Sequence, residues 1–390
     1  MSDEGVKRAV HRIEWKMELP VSYISLRILV AMSGGVDSSV VAHLLHEQGH
    51  ELIGVRFSLW SDPLAPALAQ VLPSKCCTTQ NIARASSVAK KLGIPLKVVS
   101  LEDEFKQLVV DPFLESHRRG LTPNPCIGCN RTIKFGKLLR LMEELGCDKL
   151  ATGHYARIAT EQMSDGNQRT ILLEAIDIRK DQSYYLHGLT QEQLRPVLFP
   201  LGGMKKNEVY ELASHFDLPM SDSYRESQDL CFFPEKTPQE FLKRHLKSSI
   251  ARGSIVSRDG TVVGAHEGLP LYTVGQRRGL GIGGLKIPLE VVSKNIENNT
   301  LVVAPKGSEE CCSVTLSDMH FISWKPEKGT PVEFECRTRS LSGKRKGVLE
   351  LRGNDAIFTF QSPAPVQSSG QSLVLYRGQE VIGGGTMNVM

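Results

Sequence analysis

The chain has 390 residues, enough for two or three domains at about 150 residues each. Apolar residues make up 41% and charged residues 23%, with 34 Gly and 20 Pro, a balance that excludes a disordered, collagen-like or coiled-coil protein. The 47 Lys+Arg against 43 Asp+Glu leave a net charge of +4, too little for a polycation, so any polyanion it binds must meet a local patch.

The first 22 residues interleave Asp3, Glu4, Glu14 and Glu18 with Lys7, Arg8, Arg12 and Lys16. That mixture fits a frayed or weakly helical extension, not a signal or transit peptide. No stretch approaches the run of about 18 apolar residues that a membrane helix needs, so no membrane partner is expected. The nine cysteines are Cys76, Cys77, Cys126, Cys129, Cys147, Cys231, Cys311, Cys312 and Cys336. An odd number without a secretion signal argues against a disulfide framework and for the reducing cytoplasm.

From residue 23 to about 220, short apolar runs alternate with helical stretches. Ile28–Met32 reads as a buried strand, Ser38–Gly49 as a helix ended by its glycine, and Leu52–Val55 as the next strand. Asn81–Leu92 is helical and closed by Gly93-Ile94-Pro95; Leu96–Val99 is a third strand. Asn130–Leu145 is an amphipathic helix, and Lys149–Gly153 a fourth strand running into a loop. This order predicts an α/β domain whose parallel sheet is covered on both faces. After Ser221 the signal weakens to one helix, Pro238–Lys247, and the Gly-rich turns of Arg278–Gly284, which predicts a small linking domain over 221–295. From Ile296 to the end come short alternating strands, among them Thr300–Ala304, Val332–Arg339 and Gln371–Tyr376. Their spacing predicts a C-terminal antiparallel β-barrel over 296–390.

The first strand runs into Ser33-Gly34-Gly35-Val36-Asp37-Ser38-Ser39 and a helix follows at once. Two glycines permit a tight turn whose N–H groups converge, and the helix N-terminus adds partial positive charge, so the loop is built to cradle an anion. A Gly-Gly turn whose Asp37 caps the helix is the simpler alternative; the full Ser-Gly-Gly-x-Asp-Ser pattern between strand and helix favours the cradle. No Gly-x4-Gly-Lys-Ser/Thr is present. The loop resembles the pyrophosphate loop of enzymes that split ATP between its α- and β-phosphates. That resemblance implies that Ala31, Met32, Ser33, Gly34, Gly35, Val36, Asp37 and Ser38 hold the phosphates, that Asp37 helps bind Mg²⁺, and that Phe57 lies near the adenine. The loop alone does not choose among amidating synthetases and tRNA-modifying enzymes.

Thr122-Pro123-Asn124-Pro125-Cys126-Ile127-Gly128-Cys129 sets two thiols three residues apart before a basic helix. Thiolates are stabilised near helix N-termini and cations, which makes Cys129 a candidate nucleophile; Cys231, in Asp229-Leu230-Cys231-Phe232-Phe233, is its candidate partner. A buried cysteine acting only as a small hydrophobe is the common alternative.

The Ser-Gly-Gly-Val-Asp-Ser loop, Thr-Pro-Asn-Pro-x-x-x-Cys-Asn, Ala151–Arg157, Lys180–Leu186, the Cys231 segment and Thr273–Gly281 occur in an order that resembles the tRNA-specific 2-thiouridylase family from about Ile28 to Gly385. The resemblance implies ATP-dependent adenylation of the C2 oxygen of a tRNA wobble uridine and its replacement by sulfur. It also implies that Cys231 carries a persulfide received from a sulfur-relay protein or a cysteine desulfurase, with Cys129 the partner nucleophile. By the same resemblance Asn124, Pro125 and Cys126 contact the target base and Gly153 the nucleotide. Lys180, Asp181 and Gln182 match one tRNA-contacting stretch; Arg339 and Ser340 match another, although Ser340 stands where a Tyr is common. His154 lies in a family motif, but local hydrogen bonding is its simpler role. Cys126 stands where many members have Asp. With Cys129 and Cys231 it forms a three-thiolate set of the type that holds an iron–sulfur cluster in related enzymes, and the cluster and persulfide-only routes are both open.

Residues 337–346 carry five basic residues, Arg337, Arg339, Lys344, Arg345 and Lys346. The patch is expected to meet anticodon-arm phosphates together with Arg118, Arg119, Lys134, Lys137, Arg277 and Arg278. A catalytically silent RNA-binding relative is the remaining alternative reading of the whole chain.

Overall fold

The computed structural model describes residues 25–66, 79–163, 166–218, 230–283 and 287–389. The N-terminal extension, Cys76, Cys77 and Asp229 lie outside the described residues.

The α/β domain opens with β1 (Arg27–Ala31), α1 (Val36–Glu47), β2 (Glu51–Ser58), α2 (Thr79–Leu92) and β3 (Leu96–Ser100). It continues through a long helix, α3, over 102–118 and a second, α4, over 125–144, to β4 (Lys149–Ala151). Both long helices widen into a π-helical turn, at Lys106–Val110 and Cys129–Lys134. A hairpin of β5 (Arg157–Gln162) and β6 (Gln168–Leu173) precedes β7 (Val197–Leu198) and α5 (Lys206–His215). The strands order β3-β2-β1-β4-β7 and every pairing is parallel. Side chains alternate across a strand, and β1 shows it. Ile28 and Val30 enter one apolar cluster with Val40, Val41 and Ala85, whereas Leu29 enters another with Phe135, Leu138 and Leu150. The sheet is therefore covered on both faces, as the alternation in sequence requires.

The linking domain contains α6 (Gln239–His245), β8 (Gly253–Ser257), β9 (Val262–His266), β10 (Leu289–Asn295) and β11 (Thr300–Pro305), in the sheet order β10-β11-β8-β9. The boundary expected at Asn295 is corrected here. Asn295 pairs with Thr300 across the β10–β11 hairpin, and β11 runs parallel to β8, so the strand read as the start of the barrel belongs to the linking sheet.

The barrel is made of β12 (Glu310–Phe321), β13 (Val332–Arg337), β14 (Arg345–Arg352), β15 (Asp355–Pro365), β16 (Ser372–Arg377) and β17 (Glu380–Asn388). Their order β12-β15-β14-β13-β16-β17 is closed by β12 pairing with β17, all antiparallel. Closure removes the exposed edges of an open sheet. Sequence reading missed one feature: the β5–β6 hairpin of the α/β domain adds to the barrel sheet through β6 and β17, where Leu172 and Leu173 face Val381 and Glu380.

Candidate nucleotide and thiol site

The order β3-β2-β1-β4 reverses direction between β1 and β4, and in open α/β sheets ligands bind in the crevice beyond the strand C-termini at that point. The loop after β1 and Gly153 after β4 meet there. Gly34 has φ +80°, and a Cβ on it would fall 2.1 Å from the Asn81 carbonyl oxygen, so only glycine fits. A Cβ on Gly153 would stand 3.1 Å from the Ser38 nitrogen and 3.2 Å from Asp37, crowding the first turn of α1. No side chain caps that helix at Gly35, and the partial positive charge of a helix N-terminus favours an anion there. Hydroxyls line the turn: Ser33 Oγ accepts from the Gly35 N–H (3.3 Å) and lies 3.2 Å from Ser38 Oγ. Ala31 is half-buried at the end of β1, Met32 and Val36 are buried beneath the loop, and Phe57 is half-buried on β2. The residues present thus fit the phosphates of a nucleotide.

Asp37 does not cap α1. Its Oδ1 accepts hydrogen bonds from Tyr155 Oη (2.8 Å) and Lys206 Nζ (2.6 Å). Arg56, buried on β2, donates from Nη1 to the Ser33 carbonyl at 2.6 Å. Sequence reading missed all three partners as site residues. Arg56 left a trace, a charge inside the apolar run Leu52–Phe57; Lys206, 169 residues from Asp37, left none.

The thiols lie at the start of α4. Asn124 caps it, its Oδ1 accepting from the Cys126 N–H at 3.2 Å, and Pro125 occupies the first turn where its missing N–H costs nothing. Cys129 is buried where the π-helical turn begins; such turns recur at functional sites. Cys129 belongs to the same apolar cluster as Phe105, Phe113, Phe232 and Phe241, and half-buried Cys231 packs against that cluster beside Phe232. Cys126 is half-buried near Tyr185, whose hydroxyl hydrogen-bonds Ser340 and whose pKa is raised, chiefly by burial. An aromatic ring thus lies next to Ser340 even though that position is a serine. The metal-ligand set expected from Cys126, Cys129 and Cys231 is not assembled: among the described residues no three His, Cys, Asp or Glu side chains are grouped to hold a metal ion. Cys129 belongs to an apolar cluster while Cys126 neighbours a tyrosine.

His154 is wedged between Phe135 and Phe199, its Nδ1 2.8 Å from Thr152 Oγ1. Burial pushes its pKa well below the usual histidine range, and Lys134 adds to that. A neutral, hydrogen-bonded histidine agrees with the local role read from sequence.

The residues expected to contact RNA differ in exposure. Asp181 is only 2% exposed. Its carboxylate accepts from the Ala175 N–H (3.0 Å), the Ser183 N–H (3.2 Å) and Ser183 Oγ (2.9 Å) and pairs with Arg337. Gln182 Oε1 accepts from the Tyr155 N–H at 2.9 Å, and Lys180 is half-buried. Of the basic cluster, Arg337 and Lys344 are turned inward onto Glu174, each at 2.7 Å, whereas Arg339, Arg345 and Lys346 are exposed. Near Arg339 a cleft of about 430 Å³ opens where the three domains meet, lined by Thr122, Gln239, Gln276, Arg278, Arg339 and Gln371 among others. Gln371 Nε2 donates to the Thr122 carbonyl across it at 2.7 Å. Among the described residues no helix is long and apolar enough to cross a membrane.

A parallel α/β sheet with this loop at its switch point defines a pyrophosphate-loop enzyme. Residues 26–235 match the family described as tRNA methyl transferase HUP domain, 239–305 its PRC-barrel domain and 312–387 the aminomethyltransferase β-barrel domain. The chain is 45% identical over 361 residues to the tRNA-specific 2-thiouridylase MnmA of Geobacter metallireducens, covering 92% of this chain and 96% of that one. It is 40% identical over 365 residues to the MnmA of Symbiobacterium thermophilum, covering 93% and 92%. The chain belongs to the tRNA-specific 2-thiouridylases, a family of tRNA sulfurtransferases.

Proposed function

We propose that the protein uses ATP to thiolate C2 of the wobble uridine of tRNA, with sulfur carried as a persulfide on Cys231. One observation carries this reading: Phe57, the residue that the family resemblance assigns to the adenine, packs against the apolar cluster that contains Cys129 and against which Cys231 also packs. Phe57 and both thiols therefore border one apolar cluster, which supports a nucleotide and a sulfur carrier acting at one site.

A urea-like C2 carbonyl resists substitution until its oxygen becomes a good leaving group. Its O2 attacks the α-phosphorus of ATP, the bond to the bridging oxygen breaks, and pyrophosphate departs. The N–H groups at the start of α1 hold the phosphates, and Asp37 is the residue that would hold Mg²⁺, a hard cation suited to carboxylate oxygen, which shields phosphate charge. The terminal persulfide sulfur is nucleophilic at neutral pH. It reaches C2 either as hydrosulfide, after the Cys129 thiolate attacks the Cys231 sulfur, or directly, with Cys129 then breaking the S–S bond. Both routes expel AMP and leave a Cys129–Cys231 disulfide, which a thiol reductant returns to two thiols. Asn124, Pro125 and Cys126 border the target base, and the sulfur donor is a sulfur-relay protein or a cysteine desulfurase.

Incubation with ATP, Mg²⁺, a persulfide source and unmodified tRNA, followed by nucleoside analysis, should yield 2-thiouridine. Cys129→Ala and Cys231→Ala should each abolish it while tRNA binding persists. Protein purified anaerobically and found free of iron and sulfide should thiolate at full rate; activity that tracks iron content would refute the persulfide-only route. Unmodified tRNA after complete turnover conditions would refute thiolation altogether.

A further inference from the structure

Loops that grip the terminal phosphates of ATP usually contain a lysine, and Ser33–Ser39 has none. The fold supplies one from elsewhere. Lys206 opens α5, and its ammonium sits 2.6 Å from Asp37 Oδ1 inside the loop, with the Lys206 side chain 8% exposed and Asp37 28% exposed. It is aimed rather than loosely placed. The Lys206 N–H donates to Asp177 Oδ2 at 3.1 Å, and Nζ lies over the rings of Tyr210 (4.8 Å) and Tyr155 (5.4 Å). Arg56, another cation at the loop, directs Nη1 to the Ser33 carbonyl. Taking an ammonium out of water is costly, and a pair like this adds little net stability over apolar packing. A buried cation beside an uncapped helix N-terminus does suit a phosphate.

We propose that Lys206 is the cation that receives the pyrophosphate of ATP, which rests on the ATP reading above. Its partner in the structure is Asp37. Asp37 is the residue that would hold Mg²⁺, and in the nucleotide complex the Lys206 ammonium donates a hydrogen bond to a β-phosphate oxygen. As the α-phosphorus bond to the bridging oxygen breaks, the bonding pair goes to that β-phosphate group and Lys206 keeps its proton. The loop's missing lysine is thus provided by a helix that follows the last strand of the sheet.

The test compares Mg·ATP and AMP binding by equilibrium dialysis in wild type, Lys206→Met and Lys206→Arg. Lys206→Met should weaken Mg·ATP by about 10- to 100-fold, the range of one charge-assisted hydrogen bond, and leave AMP within about twofold; Lys206→Arg should recover most of the loss. Unchanged ATP affinity, or ATP and AMP affinities falling together, would reduce Lys206 to a brace for Asp37. A measurement on unaltered protein guards against a variant that fails to fold: Mg-pyrophosphate alone should bind and compete with ATP, and its failure to do so overturns the assignment. Wild type that binds no Mg·ATP would overturn the ATP reading as well, whereas ATP binding retained in Lys206→Met overturns only the role of Lys206.

Discussion

Arg337 Nη1 lies 2.9 Å from Asp181 Oδ2, a bond between residues 156 positions apart that fastens the barrel to the α/β domain. Both side chains are buried, and Arg337 Nη2 is 2.7 Å from Glu174 Oε1. Removing one partner of a buried pair leaves an uncompensated charge, at a cost of about 3–5 kcal/mol. Arg337→Met should therefore lower the unfolding midpoint markedly in urea. A variant that unfolds at the wild-type midpoint would show the pairing to be dispensable.

The exposed and inward-turned basic residues of the same segment should separate in experiment. Neutralising Arg339, Arg345 and Lys346 together should weaken tRNA binding and flatten its dependence on salt, by about 0.7–0.9 in log–log slope for each phosphate that is no longer neutralised. Lys344→Gln should instead reduce stability, because its ammonium serves Glu174 and lies 4.6 Å over the Tyr376 ring. Filter binding across a salt series, beside melting curves, distinguishes the two outcomes.

Gly153→Ala would place a methyl group against Ser38 N and Asp37 at 3.1–3.2 Å. The expected result is an ATP affinity about tenfold weaker, the equivalent of one hydrogen bond, with little change in tRNA binding. Equilibrium dialysis reads it, and a larger loss for Gly153→Val would follow from the same crowding.

Acid should destabilise the fold through its buried histidines. Burial is the main reason that the pKa values of His117 and His187 fall to about 4, whereas in the unfolded chain they return to about 6.5. Below pH 6.5 the unfolded state binds the extra protons, so the contribution is whole above 6.5 and shrinks as pH falls toward 4, by about 1.4 kcal/mol per pH unit for each residue. Urea titrations at pH 7.5 and 5 should show this loss, and His187→Asn should show less of it.

The parallel domain was legible because its signals are local: an apolar run, Gly34-Gly35 and a helix follow one another within twenty residues of Ile28. The thiols stand out in sequence by their motifs, and Cys231 packs against the apolar cluster that contains Cys129. What escaped depends on distant partners. β11 reads as barrel because alternation looks the same in either sheet; only its pairing with β8 assigns it. Asp181 sits in a polar stretch that looks solvated until Arg337, from another domain, reaches it. Lys344 resembles its exposed neighbours in sequence, and the acceptor that sets it apart is on Glu174, 170 residues away.

The hairpin Arg157–Leu173 has a practical consequence for dissecting the molecule. Because β6 is hydrogen-bonded to β17, a cut between the linking domain and the barrel would not yield two self-sufficient pieces. The N-terminal fragment would carry a two-stranded ribbon with a bare edge, and the C-terminal fragment would lose the cover over Val381. Unpaired strand edges recruit other chains, so the separated halves should aggregate alone and recover solubility when produced together.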